Sequence, residues 1–337
     1  MNKSFVEGVP SLFLVTSPLQ ALCAIEAIAR FKITDYKFLL VLVDNEKRND
    51  QVIYVCRKFN VEYTVVPASI STRDWFKVIM LTDRYYNRAF IGNIRQLSHI
   101  YYAVRYLKFH SNVVCMDDGN DTIFLLNNGN ISDQISKKGK IRFSMLKICS
   151  YFLGISYGRD LFTIYGDIYN KKYHTLLNDF SYVSHGLNPN KKQEGVFFIG
   201  TNYDRYCSEE NYPLDIVKNG LRTALMEIKS KYYGQKIYYI PHGLDTADFP
   251  QKICDELEIE VIRPKSTVEL MIINNETIPV AIYGFTSTAL YNLFLLYPMM
   301  EVYNIKFRVS HMNSFIEQVD IVSKYYKEHG ITEIVMS

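Results

Sequence analysis

Along most of the chain, short apolar runs alternate with longer stretches of mixed character. In the first half the runs fall at residues 11–17, 37–43, 62–67, 88–93 and 112–116, each ending in loop residues and each followed by a segment with helical spacing of apolar positions. This rhythm predicts a β-α-β-α order. The run Phe38-Leu39-Leu40-Val41-Leu42-Val43 is continuously apolar, as a strand must be when helices cover both of its faces, so a parallel sheet is expected. The pattern stops around His185-Gly186-Leu187-Asn188-Pro189-Asn190-Lys191-Lys192, a turn-rich, basic stretch that reads as a linker. It restarts with runs at about 195–200, 236–240, 259–263, 279–284 and 299–305. The expected architecture is α/β, with two Rossmann-like domains facing a central cleft: residues 1–185 and residues 195–337. A last helical stretch, Met312 to Glu328, is long enough to cross back to the first domain, and the pattern alone does not place it.

A length of 337 residues gives each half enough chain to bury its own core. Hydrophobic residues at 48% and charged residues at 22% are the proportions of a soluble globular protein. The formal charge of +3 is too small to make a nucleic acid the expected partner, and the 27 tyrosines show no regular spacing suited to stacking bases. The six cysteines are scattered without a CxxC pair or metal-ligand spacing, which predicts reduced, mostly buried thiols. No signal peptide and no run of membrane-spanning length is recognisable, so a cytoplasmic location is expected. Ser136 to Ser150 (SKKGKIRFSMLKICS) interleaves basic and apolar residues at roughly helical spacing. It reads as a solvated helix, or as a peripheral contact with the acidic inner face of the cytoplasmic membrane. A homodimer is left open.

In open parallel sheets, ligands bind beyond the carboxyl ends of the strands, so polar residues directly after predicted strands are the candidates for chemistry. Ser17-Pro18-Leu19-Gln20 follows the first run, and Ser17 would also serve there as a simple helix cap. This turn lacks the glycines of a GxGxxG loop, and Asp44 alone after the second run does not make a dinucleotide site, which disfavours an oxidoreductase. Asp117-Asp118-Gly119-Asn120-Asp121 follows the run at 112–116. Carboxylates crowded at a strand end raise the proton affinity of at least one, suiting a general base. A solvated turn and a divalent-metal site are the alternatives, the latter less natural with glycine directly after the acidic pair.

In the second half, Lys236 to Gly243 is a run that delivers His242 into a turn restricted by Pro241 and Gly243. Histidine is the side chain best suited to giving a proton near neutral pH, although a lone histidine is more often structural. The other six histidines lack such a setting. Val280 to Tyr291 runs from apolar residues through Gly284 into Thr286-Ser287-Thr288 and then an apolar helix. Three hydroxyls with free amides at a helix start suit a phosphate group, whereas an ordinary N-cap needs only one.

Taken together, the order acidic-acidic-Gly, strand-His and Gly-x-Thr-Ser-Thr resembles the motif set of bacterial sialyltransferases, in particular the lipooligosaccharide sialyltransferase and bacterial polysialyltransferase families. The likeness spans nearly the whole chain, through short motifs whose joint order carries the weight. It implies a GT-B fold and an inverting transfer of sialic acid from CMP-sialic acid to a galactoside or sialoside acceptor of a surface glycan such as lipooligosaccharide or capsule. No metal or other cofactor is implied. Under the resemblance, Asp117 is the base that activates the acceptor hydroxyl, and His242 protonates the departing phosphate. Ser287-Thr288, with Thr286 beside them, hold that phosphate, and Glu269, 27 residues after His242 and 18 before Ser287, contacts the ribose. Gly200-Thr201-Asn202 matches the nucleotide-side loop of the second domain. Ser17, Pro18, Gln20, Asn93, Asp118 and Gly119 match the acceptor and sugar side of the first. One departure is that the His-Pro motif here reads Pro241-His242-Gly243, with proline ahead of the histidine. The rival readings are a transferase of the same fold using a hexose or Kdo donor, and a sugar-nucleotide-binding protein without turnover.

Overall fold

The computed structural model describes residues 5–71, 74, 84–93, 96–128, 144, 148–185, 191–207, 211–243, 245–275, 277–309 and 312–336. Residues 186–190 of the expected linker, and all of the basic 136–150 segment except 144 and 148–150, lie outside the described residues. The chain divides into two compact units, Met1–Gly186 and Leu187–Ser337.

The first unit is built on seven strands: β1 (Ser11–Val15), β2 (Tyr36–Leu42), β3 (Thr64–Pro67), β4 (Tyr86–Ile91), β5 (Leu107–Met116), β6 (Ser156–Thr163) and β7 (His174–Leu177). They pair in the order β3-β2-β1-β4-β5-β6-β7, parallel at every pairing. Helix α1 (Pro18–Arg30) opens directly after β1, and the Ser17 side chain accepts from the Gln20 N–H as its cap. α1 buries Ala21, Leu22, Ala24, Ile25 and Ala27 at the interior spacing that the sequence pattern requires. Helices α2 (Glu46–Lys58), α3 (Leu97–Tyr106), α4 (Asp121–Asn128) and the short α5 (Ser181–Ser184) belong to the same unit. The buried Glu26 of α1 ties α5 down. Its carboxylate accepts from Ser181 Oγ at 3.0 Å, from the Tyr182 N–H at 2.9 and 3.1 Å, and from the Val183 N–H at 2.9 Å. Removing this acceptor strands these donors, so Glu26→Ala is expected to lower unfolding free energy by about 3 kcal/mol, read as a lower urea midpoint.

The second unit repeats the plan with β9 (Val196–Ile199), β10 (Ile237–Ile240), β11 (Glu260–Val261), β13 (Ala281–Gly284), β14 (Glu301–Phe307) and β15 (Thr332–Met336), in the order β11-β10-β9-β13-β14-β15. These pairings are also parallel. A separate two-stranded ribbon pairs β8 (Lys192–Gln193) with β12 (Thr277–Ile278). The helices are α6 (Tyr203–Tyr206), α7 (Leu214–Lys231), α8 (Phe249–Glu256), α9 (Val268–Asn274), α10 (Thr288–Leu296) and α11 (Ser314–Glu328). The C-terminal stretch that the pattern left unplaced is α11, and it packs on β14 and β15 of its own unit.

In both units the strand order reverses once, between β1 and β4 in the first and between β9 and β13 in the second. At such a reversal the connecting helices leave in opposite directions and open a crevice at the carboxyl ends of the strands. The candidate chemistry sits at these two places.

Candidate functional site

In the first unit the loops after β1, β4 and β5 meet around one carboxylate. Asp118 leaves β5 toward the strand reversal. Its Oδ1 accepts from Gln20 Nε2 at 2.7 Å, and its Oδ2 accepts from Asn93 Nδ2. Gln20 Oε1 in turn accepts from the Thr16 N–H at 2.8 Å. The Asn93 N–H donates to Nδ1 of the buried His99 at 3.2 Å. A backbone N–H can only donate, so Nδ1 is the bare nitrogen and Nε2 carries the proton. That Nε2 lies 2.7 Å from Thr16 Oγ1, to which it donates, and the Thr16 hydroxyl passes its own proton to Gln96 Oε1 at 3.1 Å. Thr16, Gln20, Asp118, Asn93 and His99 thus form a closed hydrogen-bonded ring. Burial pushes His99 down to about 3, with the Arg48 charge acting in the same direction, so the imidazole is neutral and the ring's one acidic member is Asp118. Gln20 crosses β4 to reach Asp118 because residue 92 is glycine: a Cβ there would stand 2.1 Å from Gln20 Oε1.

Its neighbour Asp117 faces the other way. Asp117 is 0% exposed. One carboxylate oxygen accepts from Thr163 Oγ1 and the other from the Ile164 N–H at 2.8 Å, both at the end of β6, while Cys23 Sγ lies 4.0 Å away. Burial raises its pKa from 3.8 to about 7 against the opposing hydrogen bonds, and the Asp118 charge adds to the rise. The resemblance makes Asp117 the base. The structure places it out of contact with solvent and presents the half-exposed Asp118 instead. The physical reason is the two-residue period of an extended chain: successive side chains leave on opposite sides, so one acid is sealed against β6 while the next opens to the crevice. Gly119 then closes the turn into α4, its carbonyl accepting from the Thr122 N–H at 3.0 Å.

Ser17 caps α1 and Pro18 occupies its first turn, which is the simple capping role that the sequence allowed. Asp121 starts α4. Among the described residues there is no group of three or more His, Cys, Asp or Glu that could hold a metal ion.

In the second unit the loops after β10, β9 and β13 lie side by side in that order. Gly200 ends β9 with no room for a side chain, since a Cβ would meet the Tyr239 hydroxyl at 2.4 Å. Asn202 caps α6, and the Asp245 carboxylate accepts from the Tyr203 N–H at 3.0 Å. Asp245 belongs to the turn after β10, where its own N–H bonds the His242 carbonyl at 3.0 Å. The Gly200-Thr201-Asn202 loop and the His242 loop are therefore pinned together, with His242 exposed beyond the carboxyl end of β10.

After β13, Thr286 adopts φ +41°, a conformation strained for a β-branched residue. Such strain costs about 1–3 kcal/mol and must be held by surrounding contacts. Here the buried Asn304 of β14 accepts from the Thr286 N–H at 2.7 Å and donates to Ser323 Oγ of α11 at 3.0 Å. Ser287 caps α10, accepting from the Ala289 N–H at 3.4 Å. Thr286, Ser287 and Thr288 are all half-exposed at the positive end of that helix. Glu269, buried in the first turn of α9, accepts from Asn292 Nδ2 of α10 at 2.8 Å, and Asn292 Oδ1 has no partner among the described residues.

Asn304, Ser323 and His99 were not foreseen. Their signal was faint: polar residues within apolar strand or helix segments, which must find a partner once buried.

No protein-family model matches the chain, and no curated protein matches it in sequence. Solved structures do match in fold. The GT-B domain of a sialyltransferase from Photobacterium damselae superposes with a TM-score of 0.50 at 13% identity, over 97% of this chain and 100% of that one. A protein from Listeria monocytogenes assigned as a UDP-N-acetylglucosamine 2-epimerase gives 0.51 at 8% identity, over 89% of this chain and 79% of its own. At these identities the likeness establishes the fold alone: the chain has a GT-B-type fold built of two Rossmann-like units.

Proposed function

We propose that this chain is an inverting, metal-independent glycosyltransferase that moves sialic acid from CMP-sialic acid to a galactoside or sialoside of a bacterial surface glycan. The observation that carries this reading is the pair of unlike sites at the two strand reversals. One holds a single carboxylate aimed by two amides; the other holds three hydroxyls and a helix start. An oriented carboxylate suits removal of a proton from a sugar hydroxyl, and hydroxyls at a helix N-terminus suit a leaving phosphate. In this scheme the acceptor oxygen loses its proton to Asp118 as it attacks the anomeric carbon, the bond from that carbon to the CMP oxygen breaks, and the anomeric centre inverts. The electron pair leaves on CMP. Ser287, Thr288 and the α10 dipole stabilise its phosphate, and His242 supplies a proton. Gly200, Thr201, Asn202 and Glu269 line the nucleoside side, and Ser17, Gln20 and Asn93 the sugar side. The sequence-motif resemblance is what names the donor. The reaction would take place at the cytoplasmic side of the membrane.

The likeness to the Listeria protein, which is as good in fold, favours a second reading with a uridine-linked sugar. Thermal protection separates the two. A ligand at a hundred times its Kd stabilises by about 2.7 kcal/mol, so CMP is expected to raise the unfolding temperature and UDP to leave it in place. CMP-sialic acid is then incubated with a panel of galactosides and sialosides in the presence of a chelator. Release of CMP with a matching gain in glycan mass is the expected result. Protection by UDP alone, with CMP-sialic acid left intact, transfers the assignment to the second reading.

A further inference from the structure

Beside the Asp118 ring stands a cation that the proposed transfer leaves without a role. Arg48, in the first turn of α2, is half-buried, and its Nε donates to the Thr16 carbonyl at 3.2 Å. Thr16 is the residue whose N–H and hydroxyl close the ring. Arg48 makes no ion pair with any described residue, and the neighbouring His99 is neutral, so among the described residues the positive charge at this end of the strand reversal belongs to Arg48. Half-burying a guanidinium without a counter-ion is costly, and such a group is usually balanced by an anion. Fixing Nε on a main-chain carbonyl holds the plane of the guanidinium and leaves its Nη nitrogens to form the paired bonds that a carboxylate accepts.

We propose that Arg48 is the anion-binding group of the first unit's site and takes the carboxylate of an acidic sugar. This inference rests on the proposed function for the identity of that sugar, but not for the anion site itself. Within the proposed reaction the carboxylate comes from one of two sources, the sialic acid of the donor or a terminal sialic acid of the acceptor. In the second case the enzyme prefers sialosides over neutral galactosides.

The test uses the full chain and needs no turnover. Binding of methyl α-N-acetylneuraminide and of its carboxyl methyl ester is measured by titration calorimetry or ligand-observed NMR, for the wild type, Arg48→Gln and Arg48→Lys. The wild type is expected to bind the acid about 10- to 100-fold more tightly than the ester, the range for hydrogen bonds to a charged group. Arg48→Gln abolishes that preference at an unchanged unfolding temperature, and Arg48→Lys retains part of it. Equal affinity of the wild type for acid and ester, no binding of the acid, or a preference that persists in Arg48→Gln overturns the assignment. A preference carried by Arg48 in a protein that ignores CMP-sialic acid keeps the anion site and rejects the donor. The source follows from two further constants. A weakened Kd for CMP-sialic acid with that for CMP unchanged assigns the carboxylate to the donor. A raised KM for a sialyl-lactoside with that for lactoside unchanged assigns it to the acceptor.

Discussion

Asp118→Asn is expected to lower sialic acid transfer by about 10²- to 10⁴-fold, the usual contribution of a positioned acid or base, with little effect on donor affinity. The side chain is half-exposed and the asparagine keeps an acceptor for one of its two amide donors, so a loss in stability of about 1 kcal/mol and an unchanged circular dichroism are expected. Asp117→Asn makes the contrasting case. Its partners, Thr163 and the Ile164 N–H, are in the interior at the end of β6, and it contributes by fixing the strand end from which Asp118 departs. The asparagine keeps an acceptor for one of those donors, so transfer is expected to stay within about tenfold of the wild type. The pair is decisive because the acids are adjacent in sequence and opposite in environment. Loss of transfer in Asp117→Asn beside full transfer in Asp118→Asn would return the base to the residue that the motif resemblance names.

The second large effect is on stability. Asp117 titrates near 3.8 when unfolded and at about 7 when folded, because burial disfavours its charged form. A raised folded-state pKa means that the native protein holds the proton more tightly than the unfolded chain does. The stabilisation is therefore fully present below about pH 4, is lost progressively as the pH rises, and is gone just above pH 7. A difference of about three pKa units corresponds to the order of 4 kcal/mol. Many other groups titrate over this range, so the readout is a difference: urea unfolding of wild type minus Asp117→Asn, measured from pH 4 to pH 8. The difference is expected to fall in the wild type's disfavour by about this amount and then to level off above pH 7. A difference that is flat with pH would mean that Asp117 keeps an ordinary carboxylate pKa.

The regular alternation of the chain was legible because it answers to local rules. Continuous apolar runs placed β1, β2, β4, β9, β10, β13 and β14 to within a few residues, and the turn at Ser17-Pro18 placed the start of α1. The strands that escaped notice are β6, β7 and β15, together with the two-residue β8 and β12. β6 interrupts its apolar residues with Arg159 and Asp160, the latter buried and bonded to His174 Nδ1 on β7 at 3.1 Å. A carboxylate that finds its hydrogen-bond partner on the next strand cannot be distinguished from a solvated one in a linear pattern. The turn carrying the acidic pair was legible as well, since polar residues just beyond a parallel strand are where such folds bind ligands.

What the sequence determined by itself is therefore the α/β rhythm, its division in two and the loops that carry the polar groups, all set by periodicity and turn chemistry over a few residues. What only the tertiary structure decided is which members of those loops meet. Gln20, Asn93 and Asp118 are separated by 98 residues from first to last and touch because β1, β4 and β5 are neighbours. Asp117 is withdrawn because β6 brings Thr163 and Ile164 against it, and Thr286 is held in its strained turn by Asn304 from the adjoining strand. Burial and long-range hydrogen bonds assign these side chains their roles, and both depend on strand order, which no local pattern encodes.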